Sequence, residues 1–376
     1  MIEQIQFNAG SLILLLTIFQ GSIYSLFLLT RQQPNPLPSR LLGTFTAVLS
    51  LHFCNVLLVE FGPLPASPNF NPVFGFCYGP LLLLFVRSLV QPRFELRVAQ
   101  PQLAAPAIVL PLVWLSSRYW PPGLTLISLA LLAHLLGYVW LARRELAQFK
   151  TDLTAQYSAI DRVNLDWLST LLNRMLFIAL ISALHFAIQL AGFAQLQSAL
   201  TLLIFLSVLY FINALVLKGM SHPSLAVWLD ERQAGPEHGG EAASAEDDQR
   251  RYLGSSLSEA DSAHQFARLQ AHMDEHHPFL DENLTAQQLA DGLGISSKHL
   301  SQIINQNSGQ NFYDYINGFR IDLAARLLCD PAQAQQRISQ IMYAVGYSAK
   351  STFNSLFKQR TGMTPSEYRR RKGPKS

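Results

Sequence analysis

Charge and cysteine are both scarce in this chain. Only 14% of its 376 residues are Asp, Glu, Lys or Arg, whereas 49% are hydrophobic, a balance too apolar for ordinary water-soluble domains. The three cysteines, Cys54, Cys77 and Cys329, show no CxxC or Cys/His spacing. Because such spacings mark zinc sites, and because three scattered cysteines do not make a disulfide framework, we expect no structural disulfide, no metal site and no cofactor.

The familiar motifs of catalysis are also missing. The sequence contains no nucleophile elbow, no phosphate-binding loop, no metalloprotease motif and no paired catalytic carboxylates. Each of these motifs places reactive groups where a substrate can reach them. We therefore expect that the chain is not an enzyme, and we assign it no catalytic residue.

Long apolar runs are abundant instead, and they lie within the first 220 residues. Seven runs come close to the length of about 20 residues with which a helix crosses a bilayer. They extend from Ala9 to Leu29, Leu41 to Phe61, Val73 to Val90, Leu103 to Ser116, Leu124 to Ala142, Leu176 to Gly192 and Ser198 to Leu217. The fourth is the weakest, because it is short and contains Pro106 and Pro111. The pattern predicts an all-α fold whose first domain, residues 1–220, is a seven-span transmembrane helix bundle.

Basic residues in the short connections predict the orientation of this bundle, because Lys and Arg stay on the cytoplasmic side of a membrane protein. One side carries Arg31, Arg40, Arg87, Arg93, Arg97, Arg143, Arg144, Lys150, Arg162, Arg174 and Lys218. The other side carries only Arg118. This bias predicts a multi-pass protein with its N-terminus outside and, after seven crossings, its C-terminal region in the cytoplasm.

The composition changes after Ser221. The stretch from Asp230 to Ser262 is rich in Glu, Asp, Gly, Ala and Ser, and Glu241 to Asp248 contains no large apolar residue. Such a segment cannot bury a core. We predict a flexible acidic linker at 221–263, followed by a soluble domain at 264–376.

The soluble domain begins with a helix-turn-helix pattern. Thr285 and Gln288 have the spacing of a capping box, which marks the start of a helix. Gly294 permits a tight turn, and Ser296 is placed to cap the next helix. The apolar stripe of that second helix comprises Leu300, Ile303 and Ile304. Its outward positions near the N-terminus are polar and therefore suited to reading base edges in a major groove.

A second helix-turn-helix pattern runs from Ile338, turns at Gly346-Tyr347 and restarts with Ser348 as the expected cap. Its inward residues are Phe353, Leu356 and Phe357. The helix between the two patterns has an apolar face formed by Phe312, Tyr315, Ile316, Phe319, Leu323, Leu327 and Leu328. Such a helix would fix the separation of two reading helices, so that they enter successive major grooves about 34 Å apart.

The candidate DNA contacts divide into two classes. Base-reading positions are Ser297, Lys298, Ser301 and Gln302 in the first reading helix, and Lys350, Ser351, Asn354 and Ser355 in the second. Phosphate contacts, which position a protein on DNA without specifying sequence, are expected from Lys358, Arg360, Arg369 and Arg370. Arg320, on the linking helix, is expected to be structural.

The segment from Leu284 to Tyr368 resembles the DNA-binding domain of AraC/XylS-type bacterial transcription regulators. The matching elements are Leu300-Ser301, Arg320 with Ala324 and Leu327-Leu328, Gly346-Tyr347, Phe353, Phe357-Lys358, and the run from Gly362 to Arg369. The resemblance implies sequence-specific binding to double-stranded promoter DNA. The base-reading positions that it implies are Lys298, Ser301 and Gln302 in the first reading helix, and Lys350, Ser351, Asn354 and Ser355 in the second. Many members carry a soluble ligand-binding barrel upstream, whereas this chain resembles a membrane-embedded variety with a multi-span N-terminal region.

Three histidines, His52, His134 and His185, lie near the middle of their predicted spans. Ionisable groups are expensive in hydrocarbon and usually face the interior of a bundle. One hypothesis is that they line a site for a ligand, proton or ion. The alternative is that they only form hydrogen bonds between helices.

These observations predict a regulator in the bacterial inner membrane that couples a signal sensed by the spans to promoter binding. The expected partners are promoter DNA, the lipid bilayer, RNA polymerase and an unknown small-molecule or membrane signal, with a homodimer left open. The helix from Glu259 to His277 is the expected transmitter of the signal. Two alternatives remain: a membrane enzyme or transporter fused to a DNA-binding reporter domain, and a membrane anchor whose sensing is done by a partner protein.

Overall fold

The structure, a computed structural model, describes residues 8–31, 36–61, 70–91, 94, 96, 100–159, 166–221 and 259–373. The predicted linker falls outside the described residues between 222 and 258, and so do Arg93, Arg97 and Arg162. Within the described ranges every regular secondary-structure element is a helix, which confirms the all-α prediction there. The chain divides into two compact units, Met1–Gln148 with Leu165–Gly235 and Phe149–Asn164 with Pro236–Ser376.

Seven α-helices lie among the described residues before 222. They are α1 (Ala9–Thr30), α2 (Leu37–Glu60), α3 (Asn71–Val90), α4 (Ala105–Tyr119), α5 (Pro122–Gln156), α6 (Asp166–Ala191) and α7 (Ala194–Ser221). All but α4 are long and apolar enough to cross a membrane, which gives six candidate spans among the described residues. Helix α4 has 15 residues and is about 22 Å long, short of the roughly 30 Å of a hydrocarbon core. The seven-span count therefore stays a prediction.

Small and polar side chains join the helices of the first unit. The Ser25 hydroxyl on α1 donates to the Gly43 carbonyl on α2 over 2.9 Å, in a buried position. Arg87 on α3 donates from Nε and Nη2 to Glu145 on α5, at 3.1 and 2.7 Å. Small residues allow close approach of helices in an apolar bundle, and polar side chains link them.

The described residues of the second unit from 259 onward form seven further α-helices. They are α8 (Glu259–His276), α9 (Ala286–Leu293), α10 (Ser297–Ser308), α11 (Phe312–Cys329), α12 (Ile338–Ala344), α13 (Lys350–Thr361) and α14 (Pro365–Lys372). A short 3-10 turn, Pro278–Leu280, lies between α8 and α9. Helices α8 to α10 pack around one hydrophobic core, and α12 and α13 pack around another.

Helix α11 is shared by both cores of the second unit. Its N-terminal half contributes Tyr315 and Ile316 to the first core. Its C-terminal half contributes Ile321, Ala324 and Leu328 to the second. One continuous helix thus supplies side chains to both cores. That it fixes the separation of the two reading helices stays a prediction.

Arg320 lies in the middle of α11 and is only 1% exposed. Its guanidinium donates to the carbonyls of Phe279 and Asp281, each over 2.7 Å. It also donates to the carbonyl and the hydroxyl of Ser158, over 3.1 and 3.0 Å, and its Cζ lies 5.5 Å from the centre of the Tyr347 ring. A buried charge is tolerated only when it is fully hydrogen-bonded, so Arg320 organises the segments around it.

The end of α5 belongs to the second unit. Phe149 and Leu153 are buried, and Ser158, just beyond the helix, is 1% exposed. The amide and hydroxyl of Ser158 both donate to the carbonyl of Leu284, over 3.3 and 2.7 Å. Nothing in the sequence pattern indicates this arrangement, because the segment follows directly on an apolar run.

Two turn glycines predict different sensitivities to substitution. Gly294 and Gly346 both have positive φ, at 69° and 86°, but a Cβ on Gly294 would meet nothing within 4 Å, whereas one on Gly346 would lie 2.8 Å from the Leu280 carbonyl oxygen. We expect Gly294→Ala to cost about 1 kcal/mol, the usual cost of a left-handed alanine. Gly346→Ala should cost more than about 2 kcal/mol, because backbone must also move.

The two stability losses are compared by amide hydrogen exchange in the full-length protein. The quantity measured is the free energy of opening of α11 and α13 in each variant. Gly294→Ala serves as the matched control, since it imposes the same backbone strain without the close contact. Equal losses for the two variants would contradict the packing of the second turn on residues 278–280.

Candidate DNA-binding surface

The first helix-turn-helix unit forms as its sequence predicts. The amide of Gln288 donates to the Thr285 hydroxyl over 3.2 Å, and the Thr285 amide donates to the Gln288 side chain over 2.8 Å, which completes the capping box of α9. Gly294 ends α9 in the left-handed conformation. The hydroxyl of Ser296 then accepts from the His299 amide over 3.2 Å and caps α10. These local bonds set the direction in which α10 leaves the turn.

The second unit differs from its prediction at one position. Gly346 makes the turn, and α13 begins at Lys350. The N-cap of α13 is Ala349, in extended conformation, and no side-chain hydrogen bond caps the helix. The prediction that Ser348 is the cap was wrong, because the chain enters the helix one residue later and the Ser348 hydroxyl lies too early to reach its free amides.

The predicted base-reading residues differ in exposure between the two reading helices. In α13, Lys350, Ser351 and Ser355 are exposed and Asn354 is half-buried. In α10, Lys298 and Gln302 are exposed, whereas Ser297 and Ser301 are half-buried. The Ser301 hydroxyl donates to the carbonyl of Ala155 over 3.4 Å. The two reading surfaces are therefore not equally open.

The four predicted phosphate contacts also divide into two kinds. Lys358 and Arg370 are exposed. Arg360 donates from Nε and Nη2 to both carboxylate oxygens of Asp322 on α11, over 2.7 and 2.6 Å, and this hydrogen bonding raises the pKa of Arg360. Arg369 donates to the Gln336 carbonyl over 2.6 Å. Arg360 thus links α13 to α11, and Arg369 links α14 to the segment before α12. Contact of any of the four with phosphate stays a prediction.

The C-terminal helix α14 concentrates positive charge. Thr364 and Glu367 form a capping box at its start, with the Thr364 amide donating to Glu367 over 2.9 Å. That bond from the backbone of Thr364 is the main reason why the pKa of Glu367 is lowered. Arg370, Arg371 and Lys372 follow as exposed cations. A helix so fixed presents a basic surface that suits a polyanionic partner.

The three membrane histidines have different neighbours. His52 on α2 shares a 2.6 Å hydrogen bond with the Tyr78 hydroxyl on α3. His185 on α6 shares one of 3.0 Å with the Thr201 hydroxyl on α7. His134 on α5 lies 4.8 Å from the Phe76 ring, between ring centres. The hydrogen bonds of His52 and His185 each join two helices, which fits the interhelical alternative. His134 makes ring contacts only, and its buried Nδ1 has no hydrogen-bond partner among the described residues. The ligand-site role stays a prediction.

Two residues of the second unit were missed by the reasoning from sequence. Asn317 is buried on α11 and donates to the carbonyls of Tyr313 and Ser158, over 2.8 and 3.2 Å. Asn317 is not among the residues of the predicted apolar face of α11, so the sequence pattern gave no signal for its buried partners. Ser158 carries no such signal either, since its contacts are made with residues more than a hundred positions away.

Comparison with known proteins agrees with this geometry. Residues 289–371 match a family profile described as a helix-turn-helix domain. The HTH-type transcriptional regulator GlxA of Rhizobium meliloti is 35% identical over 21% of this chain and 24% of that protein. A predicted AraC-like transcription regulator of Streptomyces lividans is 33% identical over 23% of this chain and 27% of that protein. This chain thus spans about a quarter of the length of each relative.

Among solved structures, the C-terminal domain of AraT, a response regulator from Geobacillus stearothermophilus, is similar to part of this chain. It is 29% identical, covers 32% of this chain and 93% of that one, and has a TM-score of 0.26. The family profile falls within the C-terminal unit. That unit carries a helix-turn-helix domain of the AraC type, and the chain has AraC-like regulators among its relatives.

Proposed function

We propose that this protein is a membrane-bound, sequence-specific transcription regulator that couples a signal at its transmembrane helices to promoter binding. The observation that carries the proposal is the presence, on one chain, of an AraC-type helix-turn-helix domain and, among the described residues, six helices long and apolar enough to span a membrane. The related proteins are named as transcription regulators. The proposal gives the chain no catalytic role.

The contacts of the second unit support a cytoplasmic location for the DNA-binding domain. Ser158, at the end of α5, is hydrogen-bonded to Arg320 within the same unit as the reading helices. The end of α5 and the reading helices must therefore lie on the same side of the membrane. Arg143, Arg144 and Lys150 cluster at this end, and basic residues favour the cytoplasmic side. An inner-membrane protein with its N-terminus outside, and with α4 as a crossing segment, satisfies these constraints.

The proposed mechanism is a shift between two populations of the same protein. A signal that binds one arrangement of the transmembrane helices more tightly increases the population of that arrangement. The DNA-binding domain then changes its availability to promoter DNA, and RNA polymerase responds at that promoter. Self-association is a further way in which such a shift changes DNA affinity, because two joined domains bind neighbouring half-sites together.

Chromosomal occupancy of the tagged full-length protein tests this proposal. We expect discrete peaks at promoters, lost in a Lys298→Ala, Lys350→Ala double variant because both side chains are exposed on the reading helices. Arg326→Ala is the matched control, since Arg326 is an exposed cation on α11. Peaks that persist in the double variant, or diffuse occupancy in the wild type under every growth condition tried, would contradict sequence-specific regulation.

Salt dependence separates the two predicted classes of DNA contact. Lys358→Ala should weaken binding to all duplexes alike and reduce the slope of log affinity against log salt by about 0.9, the value for one lost phosphate contact. Lys350→Ala should instead lose about 1–3 kcal/mol of preference for the cognate duplex. Titrations of both variants with cognate and scrambled duplexes over a salt series measure this. The assignment fails if the two variants show the same loss of preference.

A further inference from the structure

The last turn of α5 and the residues after it lie against the first helix-turn-helix unit. The Ala155 carbonyl oxygen lies 3.4 Å from the hydroxyl of Ser301, a predicted base-reading residue of α10. Tyr157 pairs with Thr285, the N-cap of α9, through an isolated antiparallel bridge. Ser301 is half-buried as a result. A base edge cannot occupy the position that the Ala155 backbone already fills.

Ser158 anchors this segment more firmly than a surface contact would. Its hydroxyl donates to the Leu284 carbonyl over 2.7 Å and accepts from Arg320 over 3.0 Å. Its carbonyl accepts from Asn317 over 3.2 Å and from Arg320 over 3.1 Å. Because only 1% of Ser158 is exposed, these bonds are shielded from water. Hydrogen bonds are stronger in such a shielded interior than in water.

We propose that residues 155–158 form an intramolecular plug that competes with DNA for the first reading helix. The proposal rests on the proposed function, since it requires α10 to bind DNA. In the plugged state α13 presents Lys350, Ser351 and Ser355 to solvent, while α10 has one of its reading positions occupied. Full engagement of two successive major grooves requires the plug to withdraw.

The two side chains that hold the plug, those of Arg320 and Asn317, retain internal partners when it leaves. Arg320 keeps the carbonyls of Phe279 and Asp281, and it keeps the face of the Tyr347 ring. Asn317 keeps the Tyr313 carbonyl. The buried cation is therefore not stranded, and the domain can exist in two arrangements, docked and withdrawn, without unfolding. A switch needs such a pair of discrete arrangements.

The plug is continuous with a predicted transmembrane span. Helix α5 runs unbroken from Pro122 to Gln156, and its apolar part from Leu124 to Ala142 precedes the docked end. A helix transmits an axial shift along its length because each turn is hydrogen-bonded to the next. The span and the plug are thus joined by one helix, and the linker that precedes α8 does not lie between them.

Binding of duplex DNA to the full-length protein in nanodiscs tests the plug. The probe is a pool of random-sequence duplexes enriched by selection on the Ser158→Ala protein. Ser158→Ala removes the hydroxyl bonds of the docked state, so we expect it to bind roughly tenfold more tightly than the wild type. Thr154→Ala is the matched control, because the Thr154 hydroxyl bonds only to Thr151 of its own helix, and it should bind within about twofold of the wild type.

A reversible lock tests the same competition without removing a buried bond. In a background lacking the native cysteines, Ala155→Cys is combined with Ser301→Cys, and binding is compared before and after reduction. We expect the oxidised protein to bind at least about tenfold more weakly than the same protein after reduction. Recovery on reduction shows that the domain remained folded, and the Ala155→Cys single variant should respond to neither condition.

The outcomes separate the plug from the proposed function. Equal, saturable binding by the wild type, Ser158→Ala and both redox states of the lock would overturn the plug while DNA binding stands. Failure of every protein to enrich or bind any duplex would overturn DNA binding and the plug with it. If Ser158→Ala weakens binding through instability, the lock decides: reversible loss supports the plug, and unchanged affinity refutes it.

Discussion

The buried guanidinium of Arg320 is the interaction on which the second unit depends. It reaches the turn before α9 through the carbonyls of Phe279 and Asp281, and the second turn through the Tyr347 ring. It also reaches the end of α5 through Ser158. Because an unpaired buried charge is prohibitively costly, these segments are held in one register. Arg320 thus links the turn before α9 to the second turn.

Much of the DNA-binding domain could be predicted from sequence because its instructions are local. The Thr285 capping box, the Gly294 and Gly346 turns and the Ser296 cap each act over three or four residues, and all are present. The prediction of Ser348 as a cap was wrong because a shift of one residue at a helix start leaves the sequence pattern almost unchanged. Elements that are determined by residues close in sequence can be predicted, whereas the residues at which they begin and end are predicted less well.

The plug could not be predicted because it depends on partners distant in the chain. Ser158 and Arg320 are 162 positions apart, and the residues around Ser158 read as the polar end of an apolar helix. The expected structural role of Arg320 is confirmed, yet the sequence did not indicate which segment it would hold. The membrane region shows the same limit, since length and hydropathy predict candidate spans but leave the short helix α4 undecided.

Two helices now stand as routes from the membrane region to the reading helices. Helix α8, the transmitter expected from sequence, is built into the first core through Leu269 and Met273, and its Ser262 is hydrogen-bonded to Gln306 and Asn307 at the end of α10. The last turn of α5 instead contacts Ser301, a residue that is predicted to read bases. A signal that passes through α8 would tilt or move α10. A signal that passes through α5 would withdraw residues 155–158 from α10, so only this second route requires those residues to move.

Amide hydrogen exchange of the full-length protein, with and without bound duplex DNA, tests the central claim most directly. The account predicts that DNA protects α13 and α10 while the amides of residues 155–158, and above all that of Ser158, exchange faster than in the free protein. Protection of α10 by DNA with the Ser158 amide unchanged or slowed would show that DNA and the docked segment coexist, and would contradict the account.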